Sequence, residues 1–281
     1  MEFYLSDLKE YIGSLHQADS YALFFKKYKI AVYDNKEYLV GLESIKKSRP
    51  AQYDSPALLF AFIGLVQPPL PPFFKSSNKE PMKKAVPDKK IISFCKKFGM
   101  PYSGLRPKEF YPAIDDLVHD LAVAPNDIIE LEHFRYRVAW LYTHFQVWYE
   151  LYSKEERGYV KEYIKRAGET DRPVLGETDQ SVAKQLLALE VTARMDNSRL
   201  ISRYDRKKDK FILGIRAQSL FDVAYFHLGN LLTMNDEHIK QHLKTCKNPR
   251  CRRLFWALHG HQKYCEFCDR RTVHKQQKGG S

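Results

Sequence analysis

The sequence contains few cysteines, and their distribution is uneven. Four of the five lie between residues 246 and 268, and only Cys95 lies elsewhere. The first residues, MEFYLSDLKEYIGSL, show no basic segment followed by an apolar run, so we expect no secretory signal. In a reducing compartment, clustered cysteines bind metal more often than they form disulfides. We therefore expect a cytoplasmic protein with a metal site in residues 246–268.

Long hydrophobic runs are also missing from the sequence. The longest apolar stretch, SPALLFAFIGLVQPPLPPFF at residues 55–74, is interrupted by prolines well before the about 20 apolar residues that a membrane-spanning helix needs. We therefore expect no membrane partner. With 44% hydrophobic and 14% aromatic residues, the chain can instead bury one large core, or one core and a small satellite.

Acidic residues are scarce in the last part of the sequence. Residues 240–281 carry six lysines and five arginines against Glu266 and Asp269, and they hold most of the formal net charge of +12. A second basic stretch, KSSNKEPMKKAVPDKKIISFCKK, occupies residues 75–97. Because phosphate contacts release condensed counterions, basic segments of this kind favour a polyanionic partner. The alternative interpretation is a solvated, solubilising surface.

The sequence also lacks a glycine-rich phosphate loop, an internal repeat and a recognisable catalytic motif. Acid–base groups do occur at helical spacing in two segments, and we interpret them as surface charges. They are Asp115, Asp116, His119 and Asp120 in the first segment and Glu130, Glu132, His133, Arg135 and Arg137 in the second. An enzyme is therefore not the favoured interpretation, and no catalytic residue is assigned.

Apolar spacing predicts a mainly α-helical chain with one short β-hairpin. Apolar residues recur every three or four positions at residues 4–15, 17–28, 54–66, 88–98 and 107–121. The longest stripe begins after Pro125 and runs to Tyr152, with Asp127 and Glu130 as a capping box at its start. An amphipathic helix is expected to follow it and to end near Gly168.

The pattern changes in the second half of the sequence. Two short strands are predicted at residues 200–204 and 210–215, joined by a polar turn. Ser219 and Asp222 fit a capping box for the next helix, and Asn235 is predicted to cap a short helix that leads to the cysteines.

These patterns together predict the domain organisation. We expect a helical N-terminal domain of unknown role at residues 1–168, a linker or loop at 169–181, a helix, β-hairpin and helices leading into a finger at 182–244, a small four-cysteine zinc finger at 245–275, and a disordered or artificially added tail at 276–281.

The spacing of the clustered cysteines is the clearest indication of a metal site in the sequence. Cys246 and Cys251 are separated by four residues, and Cys265 and Cys268 by two. Tetrahedral zinc takes four soft ligands at about 2.3 Å, and two close pairs on turns can supply them. The alternatives are a redox pair or a coincidental spacing. The sequence therefore predicts one structural zinc ion on these four cysteines, whereas Cys95 is interpreted as a core residue.

Residues 252–264, RRLFWALHGHQKY, lie between the two cysteine pairs. We expect them to form a small hairpin, with residues 254–256 before a turn near Gly260 and Tyr264 returning to the metal. Zinc coordination would stabilise such a module, which is too small to fold by hydrophobic burial alone. His259 and His261 flank Gly260 and are expected to face solvent or phosphate.

At these residues the chain resembles a known family. The segment CKNPRCRRLFWALHGHQKYCEFCDRR is similar to the zinc finger of bacterial CGNR-type proteins, and the hairpin and helix before it look like the segment that leads into that finger. The resemblance covers about residues 200–275. It implies zinc ligation by the four cysteines and the role of a transcriptional regulator. CDRR stands where the family has Cys-Gly-Asn-Arg, so only Arg271 keeps the arginine of that signature.

The basic residues around the cysteines are the predicted nucleic-acid contacts. Guanidinium groups can bind phosphates in a bidentate manner, and an aromatic ring can stack on a base. The predicted contacts are Arg250, Arg252, Arg253, Lys263, Arg270, Arg271, Lys275 and Trp256. A buried position covering the zinc site is the alternative for Trp256, and it is favoured for Phe255 and Tyr264.

Three classes of function remain open from the sequence. The favoured one is a nucleic-acid-binding protein, with DNA preferred over RNA, that acts as a bacterial transcription regulator. The second is an adaptor within an antiviral or toxin system, in which the finger docks on a protein. A protein partner of the N-terminal domain is considered as well. The third is an effector with nuclease activity in the N-terminal domain. A closed four-cysteine site cannot activate water, so it would not supply that activity.

Overall fold

The computed structural model describes residues 17–20, 23–45, 51–53, 55–67, 79–101, 128–168, 179–195, 198–205, 210–249, 251–265 and 268. The helices in these ranges are α1 (Ala57–Ile63), α2 (Lys79–Ala85), α3 (Asp88–Phe98), α4 (Leu131–Ser153), α5 (Tyr159–Gly168), α6 (Asp179–Met195), α7 (Leu220–Thr233) and α8 (Asp236–His242). The strands are β1 (Gln17–Ser20), β2 (Phe24–Tyr33), β3 (Lys36–Ile45), β4 (Ala51–Tyr53), β5 (Ile128–Glu130), β6 (Arg199–Asp205), β7 (Lys210–Ala217), β8 (Leu243–Thr245) and β9 (Leu254–Trp256).

The strands form three sheets, so the prediction of a mainly helical chain with one hairpin is only partly correct. One sheet has the order β4-β1-β7-β6, in which β1 and β7 are parallel and the other pairs are antiparallel. The second sheet, β2-β3-β5, is antiparallel, and β8 pairs with β9. The predicted hairpin is confirmed as the antiparallel pair β6 and β7.

A helix was predicted at residues 17–28, but residues 17–20 form β1 and residues 24–28 form the first half of β2. A local signal for the hairpin of β2 and β3 is present in its turn, where Asp34 and Asn35 both have positive φ, at 47° and 56°. Asp and Asn tolerate this conformation, which the tight turns between antiparallel strands require. Pairing with β3 makes residues 24–33 a strand, although the apolar spacing of residues 17–28 is typical of a helix.

Several helix predictions are confirmed. Helix α3 spans the predicted residues 88–98, and α1 lies within residues 54–66. Ser219 and Asp222 form the predicted capping box at α7, and the Asn235 side chain accepts a hydrogen bond from the His238 N–H at α8. The predicted helices at residues 4–15 and 107–121 lie outside the described residues.

The start of α4 differs from its prediction. Residues 128–130 form β5, and Glu130 is the residue before the first turn, with no side-chain hydrogen bond to the helix. The predicted partner of that cap, Asp127, lies beyond the described ranges. Residues 128–130 pair as β5 with Tyr38, Leu39 and Val40 of β3. They therefore belong to a sheet, and the helix begins only at Leu131.

One large hydrophobic core contains residues from most of the described elements. Four rings from α1, α3, α4 and α7 meet at its centre: Phe62, Phe94, Phe134 and Phe221. The Phe62 ring centroid lies 4.4 Å from that of Phe94 and 4.5 Å from that of Phe221. Cys95 is fully buried in this core, as predicted. Among the described helices, none combines the length and the apolar character needed to cross a membrane.

The core includes residues on both sides of the predicted linker. Leu187 and Val191 of α6 and Phe226 of α7 belong to the same cluster as the rings of α1, α3 and α4. Residues 179–181, assigned to the linker, begin α6. Residues 169–178 of the linker and the tail at 276–281 are not among the described residues, and the domain boundaries stay a prediction.

An ion network centred on the buried Arg135 fixes α3 against the rest of the fold. Arg135 of α4 is only 4% exposed, and it contacts Glu37 of β3 and Asp88 at the start of α3. Its Nε also donates to the carbonyl of Val86. Lys83 pairs with the same Glu37. Because a buried guanidinium is costly unless it is fully paired, this network holds the position of α3 and the lysines it carries.

Candidate metal centre and basic surface

The four C-terminal cysteines lie together in the structure. The Sγ atoms of Cys246, Cys251, Cys265 and Cys268 are all within 4.8 Å of one another, and those of Cys251 and Cys265 are 3.7 Å apart. Sulfur atoms bound at about 2.3 Å to one tetrahedral ion are separated by about 3.8 Å. The cluster therefore has the arrangement needed to hold a single metal ion. It is the one such group of histidine, cysteine or carboxylate side chains among the residues that the structure describes.

A tight turn positions the first cysteine pair. The carbonyl of Asn248 accepts hydrogen bonds from the N–H groups of Cys251, at 2.9 Å, and Arg252, at 3.1 Å. Arg252 adopts a positive φ of 47° as the chain leaves the turn. The N–H of Cys246 then donates to the carbonyl of Arg253 at 2.8 Å, which closes the loop between the two cysteines.

Hydrogen bonds to sulfur orient the side chains of the cluster. The N–H of Cys265 lies 3.5 Å from Cys246 Sγ, and the side-chain amide of Asn248 donates to Cys268 Sγ at 3.3 Å. Burial raises the pKa of the Cys246 thiol, but hydrogen bonds from the N–H groups of Cys265 and Asn248 and from neighbouring thiols outweigh it and lower the pKa below the ordinary value. Such bonds stabilise thiolates, the form that binds metal.

Charge repulsion acts in the opposite direction at the fourth cysteine. The pKa of Cys268 is raised to about 11, chiefly by burial and further by contact with Cys251 and the charges of Cys251 and Cys246, while the bond from Asn248 opposes the rise. Four adjacent thiolates are unfavourable without a compensating cation. A divalent ion would supply that charge, so the donor set fits a metal and leaves no position open for water.

The segment between the cysteine pairs folds differently from the prediction. Strand β9 pairs with β8, the strand that precedes Cys246, with Leu243 opposite Trp256 and Thr245 opposite Leu254. The prediction that β9 would form a hairpin with the residues around Tyr264 is therefore wrong. Residues 258–265 run back as a loop, attached by a 3.0 Å bond from the N–H of Lys247 to the carbonyl of Lys263.

Trp256 lies in the main core and not on the surface. It is 6% exposed and stacks on Phe60 of α1 at 6.2 Å and on His242 of α8 at 5.1 Å. This burial argues against the predicted stacking of Trp256 on a nucleic-acid base. The ring is covered because β9, which belongs to the finger, packs against α1. Local sequence patterns do not predict this long-range contact. Phe255 is buried and Tyr264 half-buried against the cysteines, the placement favoured for them.

Three of the predicted basic contacts can be placed. Arg252 and Lys263 are exposed, and Arg253 is half-buried. None of the three has a described carboxylate within ion-pairing distance, and from residue 238 to residue 265 the sequence contains no acidic residue. The other predicted contacts lie outside the described ranges: Arg250, Arg270, Arg271 and Lys275.

The structure brings one lysine of the second basic stretch to the finger. Lys90 of α3 is half-buried, and its Nζ donates to the carbonyl of Leu65 at 3.3 Å. The pKa of Lys90 is lowered to about 8, chiefly by burial and also by the charge of Arg253, while the charge of Cys251 opposes both. These effects require proximity between groups about 160 residues apart in the sequence. Sequence patterns could not detect this juxtaposition, since it depends on how α3 packs.

The acid–base groups noted at helical spacing do not converge on a site in the described part of the chain. Arg135 belongs to the buried network, Glu130 pairs with Lys36, and Arg137 pairs with Asp222 and covers the ring of Phe221. Glu132 and His133 are half-buried on α4. Asp115, Asp116, His119 and Asp120 are not among the described residues. His259 and His261 are exposed and stack on each other, with ring centroids 5.8 Å apart.

The comparisons with known proteins gave no match: no family model, no curated protein and no solved structure matches this chain.

Proposed function

We propose that this chain is a nucleic-acid-binding protein whose four cysteines hold one structural zinc ion. A set of four sulfur ligands at tetrahedral spacing suits zinc, and a site with no open position stabilises structure without activating water. The resemblance of residues 200–275 to CGNR-type fingers supports the more specific proposal of a bacterial transcription regulator that binds DNA in preference to RNA.

The observation that carries the proposal is the approach of Lys90, from the second basic stretch, to Arg253 and the cysteine cluster. Lys90 interacts electrostatically with Arg253, and Arg252 and Lys263 are exposed within residues 238–265, which contain no acidic residue. Cations held on a rigid metal-bound loop bind phosphates with little loss of conformational freedom. Their concentration at one place favours a polyanion over a general solubilising role.

Charge reversal on the finger tests this proposal. In the double variant Arg252→Glu and Arg253→Glu, all four cysteines are retained, so we expect the metal content to persist. Affinity for DNA should fall, and the dependence of log affinity on log salt concentration should decrease by about one unit for each phosphate that the variant no longer binds. Binding is measured by anisotropy of labelled DNA and RNA over a salt series.

A matched control keeps the same change in net charge at another surface. Lys161 and Lys165 are exposed on α5, which packs against α4 and α6. The variant Lys161→Glu and Lys165→Glu should bind like the wild type. Equal loss in both variants would show a nonspecific effect of net charge, and absence of binding by the wild type at low salt would favour the protein-adaptor alternative.

A further inference from the structure

All the lysines of helix α3 lie on one side of it. They are Lys89, Lys90, Lys96 and Lys97. Because an α-helix turns by about 100° per residue, the four side chains fall within an arc of about 120°. All but Lys90 are exposed, whereas Ile91, Phe94 and Cys95 on the other side are buried in the main core. We call the side with the lysines the lysine face of α3.

The lysine face carries charge of one sign. Residues 89–97 contain no acidic residue, and Asp88, the acidic residue of α3, pairs with the buried Arg135 instead. In the described part of the chain, Lys89 and Lys96 have no carboxylate within ion-pairing distance. A helix face that is only solvated usually mixes both signs and forms ion pairs four residues apart. A face of one positive sign attracts a polyanion.

The lysine face begins beside the finger. Lys90, in the first turn of α3, interacts electrostatically with Arg253 and with Cys251 of the cysteine cluster. Its Nζ donates to the carbonyl of Leu65 at 3.3 Å, just after α1, the helix that contacts β9 of the finger. The basic residues of α3 and those of the finger therefore lie in one region of the molecule.

Contacts on two sides hold the lysine face in a fixed position. Arg135 contacts Glu37 and Asp88, which joins the start of α3 to α4 and β3. The Tyr28 hydroxyl of β2 donates to the carbonyl of Cys95 at 2.9 Å. At a rise of about 1.5 Å per residue, the face extends about 12 Å from its first lysine to its last. It is therefore a row of cations of fixed length on a rigid part of the main fold.

We infer that the lysine face of α3 binds the phosphate backbone of a DNA duplex whose neighbouring phosphates are bound by the finger. Duplex DNA carries one negative charge per about 1.7 Å of its axis, so a face of about 12 Å lies opposite several phosphates. A rigid row of cations suits the regular phosphate spacing of a duplex. Lysine contacts to phosphate carry no sequence information, so this face adds affinity for any sequence. The inference rests on the proposed function and gives it a second contact surface outside the finger.

Charge reversal on the lysine face tests this inference. In the double variant Lys89→Glu and Lys96→Glu, we expect the dependence of log affinity on log salt concentration to decrease by about two units, one for each lysine. The decrease should be the same for two labelled duplexes of unrelated sequence, because phosphate contacts do not read bases. Lys161→Glu with Lys165→Glu makes the same change in net charge on α5 and should keep the wild-type salt dependence.

A second variant removes the charges without adding repulsion. Lys89→Gln with Lys96→Gln introduces residues of good helix propensity, so α3 should stay folded. The salt dependence should again decrease by about two units. Helical circular dichroism and metal content verify that the main fold and the finger are intact in every variant.

Combination with the finger variant tests whether one duplex contacts both surfaces. When Lys89→Glu and Lys96→Glu are added to Arg252→Glu and Arg253→Glu, the two decreases should add, because the surfaces bind different phosphates. The combined decrease should be about four units. One duplex should bind per chain in the wild type, as measured by titration at low salt.

The possible outcomes separate this inference from the proposed function. Wild-type salt dependence in both α3 variants, together with a decrease in the finger variant, would overturn the α3 contact and leave the proposed function intact. A decrease in the glutamate variant but not in the glutamine variant, or an equal decrease in the α5 control, would also overturn it. No binding of any duplex by the wild type at low salt would refute both proposals. If a polyglutamate peptide bound instead, and the α3 variants abolished that binding, the lysine face would belong to an acidic protein partner.

Discussion

His144 is a fully buried ionisable side chain in the middle of α4. Its Nδ1 lies 3.1 Å from the hydroxyl of Tyr225, and its ring contacts those of Trp140 and Tyr163. Among the described residues, its Nε2 has no hydrogen-bond partner. Burial lowers the pKa of His144 to about 3, and the charge of Arg194 contributes in the same direction. The imidazole is therefore neutral in the folded protein at physiological pH.

This burial predicts a specific pH dependence of stability. Below its ordinary pKa of about 6.5, His144 binds a proton in the unfolded chain but not in the folded one, so stability is lost as the pH falls from about 6.5 towards 3. The expected loss from this residue between pH 7 and pH 5 is about 2 kcal/mol. Urea denaturation at several pH values should show a shallower loss for His144→Gln than for the wild type.

The control for this prediction is a histidine that is exposed. His259→Gln changes the same residue type on the loop of the finger, where the side chain is exposed and its ring stacks on that of His261. It should lose stability with falling pH as steeply as the wild type. Equal slopes for His144→Gln and the wild type would contradict a neutral buried imidazole at position 144.

At the scale of elements, the contact between β9 and α1 joins the finger to the rest of the protein. Trp256 stacks on Phe60, which itself packs edge-on against Phe145 of α4 at 5.4 Å. The cysteine cluster with Phe255 and Ala257 forms a separate small core on the other side of β9. Consecutive residues of one strand point to opposite faces, so β9 places Phe255 in the small core and Trp256 in the large one.

Removal of the Trp256 ring should therefore weaken the fold without removing the metal. We expect Trp256→Ala to lower the free energy of unfolding by about 3 to 5 kcal/mol, the usual cost of deleting a buried aromatic side chain. Metal content should stay at the wild-type value because the cysteines pack with Phe255 instead. Denaturant unfolding and elemental analysis measure the two quantities.

Two further variants limit the interpretation of this result. Trp256→Phe keeps a ring between Phe60 and His242 and should recover most of the lost stability. Leu258→Ala changes a neighbouring exposed residue and should alter the free energy of unfolding by less than about 0.5 kcal/mol. Metal loss from Trp256→Ala would show that the two faces of β9 form a single cooperative unit.

At the scale of the whole molecule, the finger is small but contributes to the main core. Most core members lie before residue 246, and Trp256 is the member of the large core that comes from the finger. The helices are therefore expected to form without the metal, whereas the stability of the whole fold should depend on it. This coupling follows from the position of Trp256, because the loops that carry the four cysteines hold it against α1.

We expect one zinc ion per chain and a weakened but helical protein after metal removal. Cys265→Ser leaves three ligands, so it should lose zinc and the pairing of β8 with β9. The free energy of unfolding should fall by at least as much as in Trp256→Ala, while the helical circular dichroism signal is largely retained. Elemental analysis, circular dichroism and denaturant unfolding provide the measurements.

Cys95→Ser is the matched control for this prediction. Cys95 is a buried cysteine of the main core and not part of the cluster. The variant should keep one zinc ion per chain even if it is less stable. Complete loss of helical signal in Cys265→Ser would show instead that the core cannot form without the finger, and zinc retention in that variant would refute the four-cysteine site.

The sequence by itself determined the features that depend on neighbouring residues. The spacing of Cys246, Cys251, Cys265 and Cys268 predicted their cluster, because ligands on two short turns have little freedom to be elsewhere. Helix α3, the capping box at Ser219 and Asp222, and the β6–β7 hairpin were also predicted, since caps, turns and periodicity act over a few residues.

Only the tertiary structure decided the features that join distant segments. Pairing with β3 made residues 24–33 a strand, and β9 pairs with β8 and not with the residues around Tyr264. Packing against Phe60 buries the Trp256 ring, which was predicted from the sequence to stack on a base. The approach of Lys90 to Arg253 arises in the same way. Strand partners and burial depend on which surfaces meet when the whole core forms, and that information is not present in any local segment.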